Sequence, residues 1–222
     1  MGGGKKMYDL HTHSNLTDGE LIPIELVRRM AVLGYTTVAI TDHADPSNLH
    51  FLIGAIQKVK PAASHYGVNL LCGVELTHVP PPLIPSCARE ARECGADIVV
   101  VHGETIVEPV AVGTNTAACT CHDVDILAHP GLISLDDAEA AREHGVALEI
   151  TSRGGHNRTN GHVAMVARET GCTIVVNSDA HGPQDLLDER ARFLVARGAG
   201  LKTEECDRVL ALNTKFLHLC GI

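Results

Sequence analysis

Seven short apolar segments recur along this chain, and most of them end in a histidine, an aspartate or a glutamate. The segments are nearly continuous runs of Val, Ile, Leu and Ala, which is typical of strands that are buried on both faces of a parallel sheet. Their spacing of roughly 25–35 residues is that of repeated β-strand and α-helix units. The predicted strands are 7–13, 37–43, 69–76, 97–102, 125–129, 147–150 and 173–179.

Helical patterns fill the intervals between these strands. Four predicted helices are each followed directly by a glycine, the residue that most often ends a helix in the left-handed conformation. A fifth begins with Thr203 as its N-cap and places Glu205 and Asp207 in the first turn, where the helix dipole favours acidic side chains. The five predicted helices are 20–33, 82–94, 134–144, 160–170 and 203–219.

These units favour a single α/β domain, a distorted (β/α)7 barrel with parallel strands. In a barrel the carboxyl ends of the strands ring one mouth, so the polar residues that end the strands can meet. In the alternative, a doubly wound open sheet, the same ends lie too far apart. The 222 residues suffice for one such core, and no linker divides them. One domain is therefore predicted over 7–222, after a disordered or engineered leader at 1–6.

Composition argues against several classes of function. The net charge of −9 and the lack of a basic stripe disfavour a nucleic-acid backbone as the main partner. No secretory signal or membrane-length apolar run is present, so a cytoplasmic protein without a membrane partner is expected. The eight cysteines form no C-x-x-C pair, which indicates free thiols in a reducing compartment. A small metal cluster at Cys119, Cys121 and His122 is disfavoured because no second ligand pair accompanies it.

The segment His11-Thr12-His13 ends the first predicted strand. Residues i and i+2 of a strand point to the same face, so the two imidazoles converge, and neutral imidazole is the commonest protein metal ligand. The same spacing returns at Asp179 and His181, after the seventh predicted strand. In all, nine strand-end or nearby residues are candidate metal ligands. They are His11, His13, Asp18, His43, Glu75, His102, His129, Asp179 and His181.

Taken singly, each histidine is better explained as a hydrogen-bonded polar residue beside a loop than as a metal ligand. The chain has 14 histidines, and six of the eight that are not candidates fall in predicted helices or loops, whereas the six candidates fall at or just past strand ends. The joint pattern therefore favours one polynuclear metal centre. Such a centre indicates hydrolytic chemistry.

The ordered set of motifs resembles the PHP family, the polymerase and histidinol phosphatase family of metal-dependent phosphoesterases. The resemblance covers positions 7 to 182. It is carried by His11-Thr12-His13-Ser14 with Asp18-Gly19, by Thr41-Asp42-His43, by Gly73-Val74-Glu75, by His102, by Ala128-His129-Pro130 and by Ser178-Asp179-Ala180-His181.

The resemblance implies a distorted seven-unit (β/α) barrel that holds two or three divalent ions. The first ion would be held by His11, His13, Glu75 and Asp179, the second by Glu75, His102 and His129, and the third by Asp18, His43 and His181. Imidazole combined with carboxylate suits Zn, Mn or Fe. Some relatives have histidine at the position of Asp18, and either residue can act as a ligand.

The expected reaction is hydrolysis of a small phosphomonoester, in the manner of a histidinol phosphatase. A metal-bridging hydroxide would attack phosphorus in line, without a covalent phospho-enzyme. The expected catalytic residues are His11, His13, Glu75, Asp179 and His181. The expected partner is a small phosphorylated metabolite.

Four further residues are candidates for holding the rest of the substrate. Arg153 follows the sixth predicted strand, and arginine binds phosphate through two parallel hydrogen bonds. His156 or Asn160 would assist it, and Glu104 would support the site or act as an acid. The alternative for Arg153 is an ion pair with a loop acid. His78, three residues after Glu75, fits a pocket contact or an ordinary loop position equally well.

Three other functions remain open from the sequence. A phosphodiesterase or nuclease of the same family would use the same ligands. An amidohydrolase-like enzyme is disfavoured because such sites usually need a carbamylated lysine, and none of the six lysines lies at a strand end. A non-catalytic subunit that binds RNA or protein would be expected to lose ligands and to carry a basic surface.

Overall fold

The structure, a computed structural model, describes residues 7–211. It contains eight strands within this range, and the apolar runs of the sequence form seven of them. The strands are β1 Met7–Asp9, β2 Tyr35–Ile40, β3 His43–Ala44, β4 Asn69–Leu76, β5 Ile98–His102, β6 Ile126–Ala128, β7 Ala147–Thr151 and β8 Ile174–Asn177.

All the strands pair in parallel, in the order β1-β2-β4-β5-β6-β7-β8. The short β3 also pairs with β4 and extends the line of β2 past a break at residues 41–42. The two ends of the sheet meet through a parallel bridge between Thr12 and Ala180 and through a 2.9 Å hydrogen bond from His13 N to the Ala180 carbonyl. The result is the nearly closed seven-stranded barrel that the sequence predicted.

Nine α-helices lie within residues 7–211. They are α1 Pro23–Val32, α2 Leu49–Gln57, α3 Lys60–Ser64, α4 Ile84–Glu93, α5 Thr114–Cys119, α6 Leu135–His144, α7 Asn160–Thr170, α8 Glu189–Gly198 and α9 Thr203–Leu210. Short 3₁₀ helices form at Pro81–Leu83, His156–Thr159 and Pro183–Asp185. None of the helices in the described range is long and apolar enough to cross a membrane.

Helices α2, α3, α5 and α8 were not predicted. The predicted helix at 134–144 is confirmed, and the Ser134 side chain accepts a hydrogen bond from Asp137 N. The last predicted helix has its first helical residue at Thr203, so Lys202 and not Thr203 is its N-cap. Residues 212–219 of that prediction, the predicted leader 1–6 and Cys220 lie outside the described residues.

The barrel directs alternate side chains to two different cores. One set on the strands, which includes Val38, Ile40 and Val99, packs with the helices in the large outer core. The alternate set, which includes Ala39, Leu71 and Val100, forms a smaller separate cluster in the barrel interior. On β4 and β5 the interior set ends near the carboxyl end of the strand in the polar residues Glu75 and His102, and on β7 it includes Glu149. The strand pattern therefore places these side chains in the uppermost layer of the interior.

Candidate metal centre

Glu75, at the carboxyl end of β4, is the fully buried centre of the site. Its Oε1 lies 3.4 Å from His11 Nε2 and 3.5 Å from His129 Nε2. Its Oε2 lies 2.7 Å from His43 Nδ1 and 3.7 Å from His13 Nε2. Imidazoles from three separate parts of the chain thus surround one carboxylate.

The spacing of the nitrogen and oxygen atoms fits metal coordination. Two ligands bound at 2.0–2.2 Å to one tetrahedral ion lie about 3.3–3.5 Å apart. His11 Nε2 and His13 Nε2 are 3.1 Å apart, and Asp179 Oδ1 lies 3.2 Å from His13 Nε2 and 3.6 Å from His11 Nε2. Glu75 Oε1 is buried and has no hydrogen-bond partner among the described residues. Divalent ions would satisfy these atoms, so the residues present fit the implied metals.

The candidate ligands fall into overlapping clusters, in each of which the ligand atoms lie within 4.8 Å of one another. The first cluster is His11, His13 and Asp179, the second is His102, His129 and His156, and the third is His13, Asp18, His43 and His181. Eight of the nine predicted ligands appear in these three clusters, and the ninth, Glu75, lies between them. Two assignments differ from the expectation: His156 joins the second cluster, and His13 also faces the third.

Glu149, on β7, was not among the predicted site residues. Its Oε1 accepts hydrogen bonds of 2.8 Å from His11 Nδ1 and from Asn177 Nδ2, and its Oε2 accepts one of 3.1 Å from His129 N. Burial raises the pKa of Glu149, but the nearby His11 outweighs it and lowers the pKa below its usual value. Although Glu149 clusters with His11 and His129, its oxygens are already engaged. It therefore orients the two histidines. The signal for it was an acidic residue inside the apolar segment 147–150.

Asp42, next to the candidate ligand His43, holds the loop after β1. It accepts hydrogen bonds of 2.7 Å from both the backbone N and the Oγ of Ser14, and one of 2.8 Å from Thr17 Oγ1. This loop carries Asp18 to the third cluster, where Asp18 oxygens lie 3.3 Å from His181 Nε2 and 3.5 Å from His43 Nε2.

The clusters open into a cavity of about 200 Å³ at the barrel mouth. Its walls contain six of the nine predicted ligands together with other polar residues. The lining residues are Asp18, His43, Thr77, His78, His102, Glu108, His129, Arg153, His156, Asp179 and His181.

The four predicted substrate residues have different surroundings. Arg153 and His156 line the cavity, and Arg153 Nη1 also lies 3.5 Å from Asp185 Oδ2. Asn160 instead pairs with the backbone of Thr151, accepting from its N and donating to its carbonyl. Glu104 Oε1 accepts hydrogen bonds from the backbone N atoms of Gly113 and Asn115. Neither Asn160 nor Glu104 lines the cavity.

Burial and charge set the protonation of the cluster residues. Burial lowers the pKa of His102 and of His156 to about 4, so both imidazoles are neutral at pH 7, the form that binds metal. Burial raises the pKa of Asp179 to about 7 against the opposing effect of His11. Unlike His102 and His156, His43 has a raised pKa of about 9, because the effect of the adjacent Glu75 carboxylate outweighs that of burial. Ions in the site would displace protons from Asp179 and His43.

Three non-glycine residues of the described chain have a positive φ, and all three lie at this mouth. They are His78 at 55°, His129 at 29° and Asp179 at 53°. Such conformations cost free energy and persist where the surrounding structure imposes them. Two of the three are candidate ligands, so the backbone is strained where it presents them.

Comparison with known proteins agrees with this geometry. A family model described as PHP domain matches residues 9–146, more than half of the chain. The chain belongs to the PHP family. An uncharacterized protein of Methanocaldococcus jannaschii is 50% identical to this PHP chain over 205 residues, which cover 91% of this chain and 94% of that protein.

Solved structures share the fold of this PHP chain at low sequence identity. One is a chain in the cryo-EM structure of archaeal ribonuclease P with mature tRNA, with a TM-score of 0.72 and 17% identity, covering 96% of this chain and 91% of that one. Another is histidinol phosphate phosphatase from Lactococcus lactis in complex with zinc, L-histidinol and phosphate. Its TM-score is 0.62 at 15% identity, covering 89% of this chain and 95% of that one.

Proposed function

We propose that this PHP chain hydrolyses small phosphomonoesters with two or three divalent ions, Zn, Mn or Fe, held at the barrel mouth. The observation that carries the proposal is the convergence of all nine predicted ligands on one cavity and its floor, at spacings that suit metal coordination. The zinc and phosphate bound to the similarly folded phosphatase from Lactococcus lactis support it. When bound, the ions would supply positive charge to the ester and an ionised water as nucleophile.

The charge of the ligand set suits a phosphate dianion. The nine ligands include three carboxylates, Asp18, Glu75 and Asp179, and six imidazoles that bind metal in the neutral form. Three divalent ions would leave a net charge of about +3, and two would leave about +1. The first case attracts phosphate more strongly, which favours three ions.

Within this proposal, Arg153 holds the phosphate. Its guanidinium lines the cavity and is only loosely tied to Asp185, at 3.5 Å, so it can turn toward a phosphate oxygen. His156 lies across the same cavity. The volume of about 200 Å³ favours a small phosphorylated metabolite over a polymer. The ester would be cleaved by direct attack, with no phosphorylated residue.

The proposed location is the cytoplasm. All seven cysteines within the described residues are free, and six of them are buried. Burial raises the pKa of Cys72 to about 12 and that of Cys172 to about 11, so these thiols stay protonated and unreactive at neutral pH. Free thiols of this kind are typical of proteins in reducing compartments.

The test combines metal analysis with a substrate panel. Protein purified without chelator should contain at least two equivalents of Zn, Mn or Fe. With Mn or Zn added, it should release phosphate from chromogenic monoesters and much less from diesters. Asp179→Asn should abolish both properties in a folded protein. Faster cleavage of diesters or RNA would instead favour the nuclease alternative, and trapping a phosphorylated residue would contradict direct attack.

A second candidate function is a non-catalytic role in an RNA-containing assembly. The likeness to a ribonuclease P chain, with a TM-score of 0.72, is the observation that favours it. The retention of nine candidate ligands and the net charge of −9 weigh against it. Tight binding of tRNA-sized RNA at physiological salt, by protein without phosphatase activity, would support this candidate.

A further inference from the structure

Glu108, in the loop between β5 and α5, places its carboxylate over the second ligand cluster. Its Oε1 lies 3.3 Å from His156 Nε2, and its Oε2 lies 3.4 Å from His102 Nε2. His78 Nε2 lies 3.7 Å from the same Oε2. The sequence pattern did not identify Glu108 because it follows no strand directly.

The distances suit shared coordination better than ion pairing. A hydrogen bond between a charged imidazole and a carboxylate is about 2.7–2.9 Å long, shorter than either contact of Glu108 with His102 or His156. Two ligands of one tetrahedral ion lie about 3.3–3.5 Å apart.

The loop that carries Glu108 is held in place at both ends. Glu104 accepts hydrogen bonds from Gly113 N and Asn115 N, and Asn115 Oδ1 accepts one from Glu104 N. Val107, next to Glu108, packs beside Gly155, the residue that precedes His156. The loop and the segment that carries His156 therefore form one wall of the cavity.

Glu108 differs from its neighbours in exposure. Its side chain is 40% exposed, whereas those of His102 and His156 are 4% and 9% exposed. A buried ligand stays with its ion, but an exposed carboxylate on a loop can leave without unpacking the core. Catalytic ions need a position that substrate can take.

We propose that Glu108 is a ligand of the second ion, together with His102, His129 and His156, and that a phosphate group displaces it. The ligation depends only on the side-chain geometry. The displacement rests on the proposed function, because it assigns to Glu108 the place that the substrate phosphate takes. Glu108 thus shields the ion when no phosphate is present.

The first experiment measures ion affinity in Glu108→Gln, with Glu143→Gln on the exposed face of α6 as the charge-matched control. Full-length protein is stripped with chelator, and Mn²⁺ and Zn²⁺ affinities are measured by chelator competition, with circular dichroism to verify folding. We expect Glu108→Gln to weaken the binding of one ion at least about tenfold and Glu143→Gln to leave it unchanged. Glu108→Asp should recover part of the affinity. Equal affinities in all the variants would overturn the ligation.

The second experiment titrates inorganic phosphate into wild-type and Glu108→Gln protein at saturating Mn²⁺, by calorimetry. Because phosphate no longer competes with a carboxylate, the variant should bind phosphate several-fold more tightly. Equal or weaker phosphate binding would overturn the displacement. Neither readout requires turnover, so a protein that hydrolyses no monoester but shows the ion effect would refute the proposed function and leave the Glu108 ligand in place.

Discussion

The side chains of His11 and Glu149 are joined by a 2.8 Å hydrogen bond between Nδ1 and Oε1, and both are fully buried. The bond fixes the ring so that Nε2 faces Glu75 and Asp179. Glu149 also accepts from His129 N, so one carboxylate orients two candidate ligands from opposite parts of the chain. Carboxylate partners of this kind raise the basicity of a metal-binding imidazole.

We expect Glu149→Gln to weaken ion binding about 10- to 100-fold, because a neutral amide polarises His11 less and cannot accept from both His11 and His129 N. Chelator competition measures the effect, with the exposed Glu143→Gln as the control. Ion affinity equal to that of the wild type would show that Glu149 serves packing alone.

Arg153→Ala should raise KM for a phosphorylated substrate about tenfold or more, since a guanidinium that binds phosphate through two hydrogen bonds is lost. The ion content should stay unchanged. Steady-state kinetics and metal analysis on the same preparation separate the two effects. Arg158→Ala, at an exposed position of the same segment, is the control. Loss of metal at unchanged KM would contradict the assignment of Arg153 as the phosphate residue.

Gly131→Ala should destabilise the fold strongly. Gly131 has φ +63°, and an added Cβ would lie 1.9 Å from the Glu104 carbonyl oxygen, a backbone atom that cannot move aside easily. Gly54→Ala, inside α2 where a Cβ meets nothing within 4 Å, should instead stabilise by about 0.5–1 kcal/mol. Relative to the wild type, the midpoints of thermal unfolding of the two variants should shift in opposite directions. A shift in the same direction would contradict the different steric surroundings assigned to the two glycines.

Asp9 should make stability fall with rising pH. Burial raises its pKa from 3.8 to about 6, so the folded state holds this proton more tightly than the unfolded chain does. The proton on Asp9 contributes about 3 kcal/mol in all to the free energy of unfolding. This contribution is complete below about pH 4 and is lost as the pH rises through 6. Urea unfolding of metal-free wild-type and Asp9→Asn protein between pH 4.5 and 7.5 measures the difference. Parallel pH profiles of the free energy of unfolding for the two proteins would exclude Asp9 as the source of this pH dependence. Asp136→Asn, a substitution at an exposed position, is the control.

The fold and the convergence of the candidate ligands were predictable because one periodic signal encodes both. An apolar strand that ends in His, Asp or Glu fixes where the side chain must lie once the sheet closes, and Glu75 and His102 lie there. Helix α5 was missed because six residues are too few to show a helical period. In α2, by contrast, apolar residues do recur at helical spacing, so this helix could have been predicted. The buried residues at that spacing are Leu49, Leu52, Ile53 and Ile56.

The sequence could not settle which loop residues face the cavity. A polar side chain near a barrel mouth can bind a ligand or its own backbone, and both choices satisfy its hydrogen bonds. Asn160 binds the Thr151 backbone, and Glu104 binds its own loop, so their predicted contacts with substrate stay predictions without support from the cavity. Glu108 shows the converse, because the path of its loop, and not its position in the sequence, brings it to the ligands.

The bridge between Thr12 and Ala180 has a consequence for how the centre is made in the cell. It joins the segment that carries His11 and His13 to the one that carries Asp179 and His181, near opposite ends of the chain. The first cluster, which combines His11 and His13 with Asp179, therefore cannot form until the chain has been translated as far as residue 179.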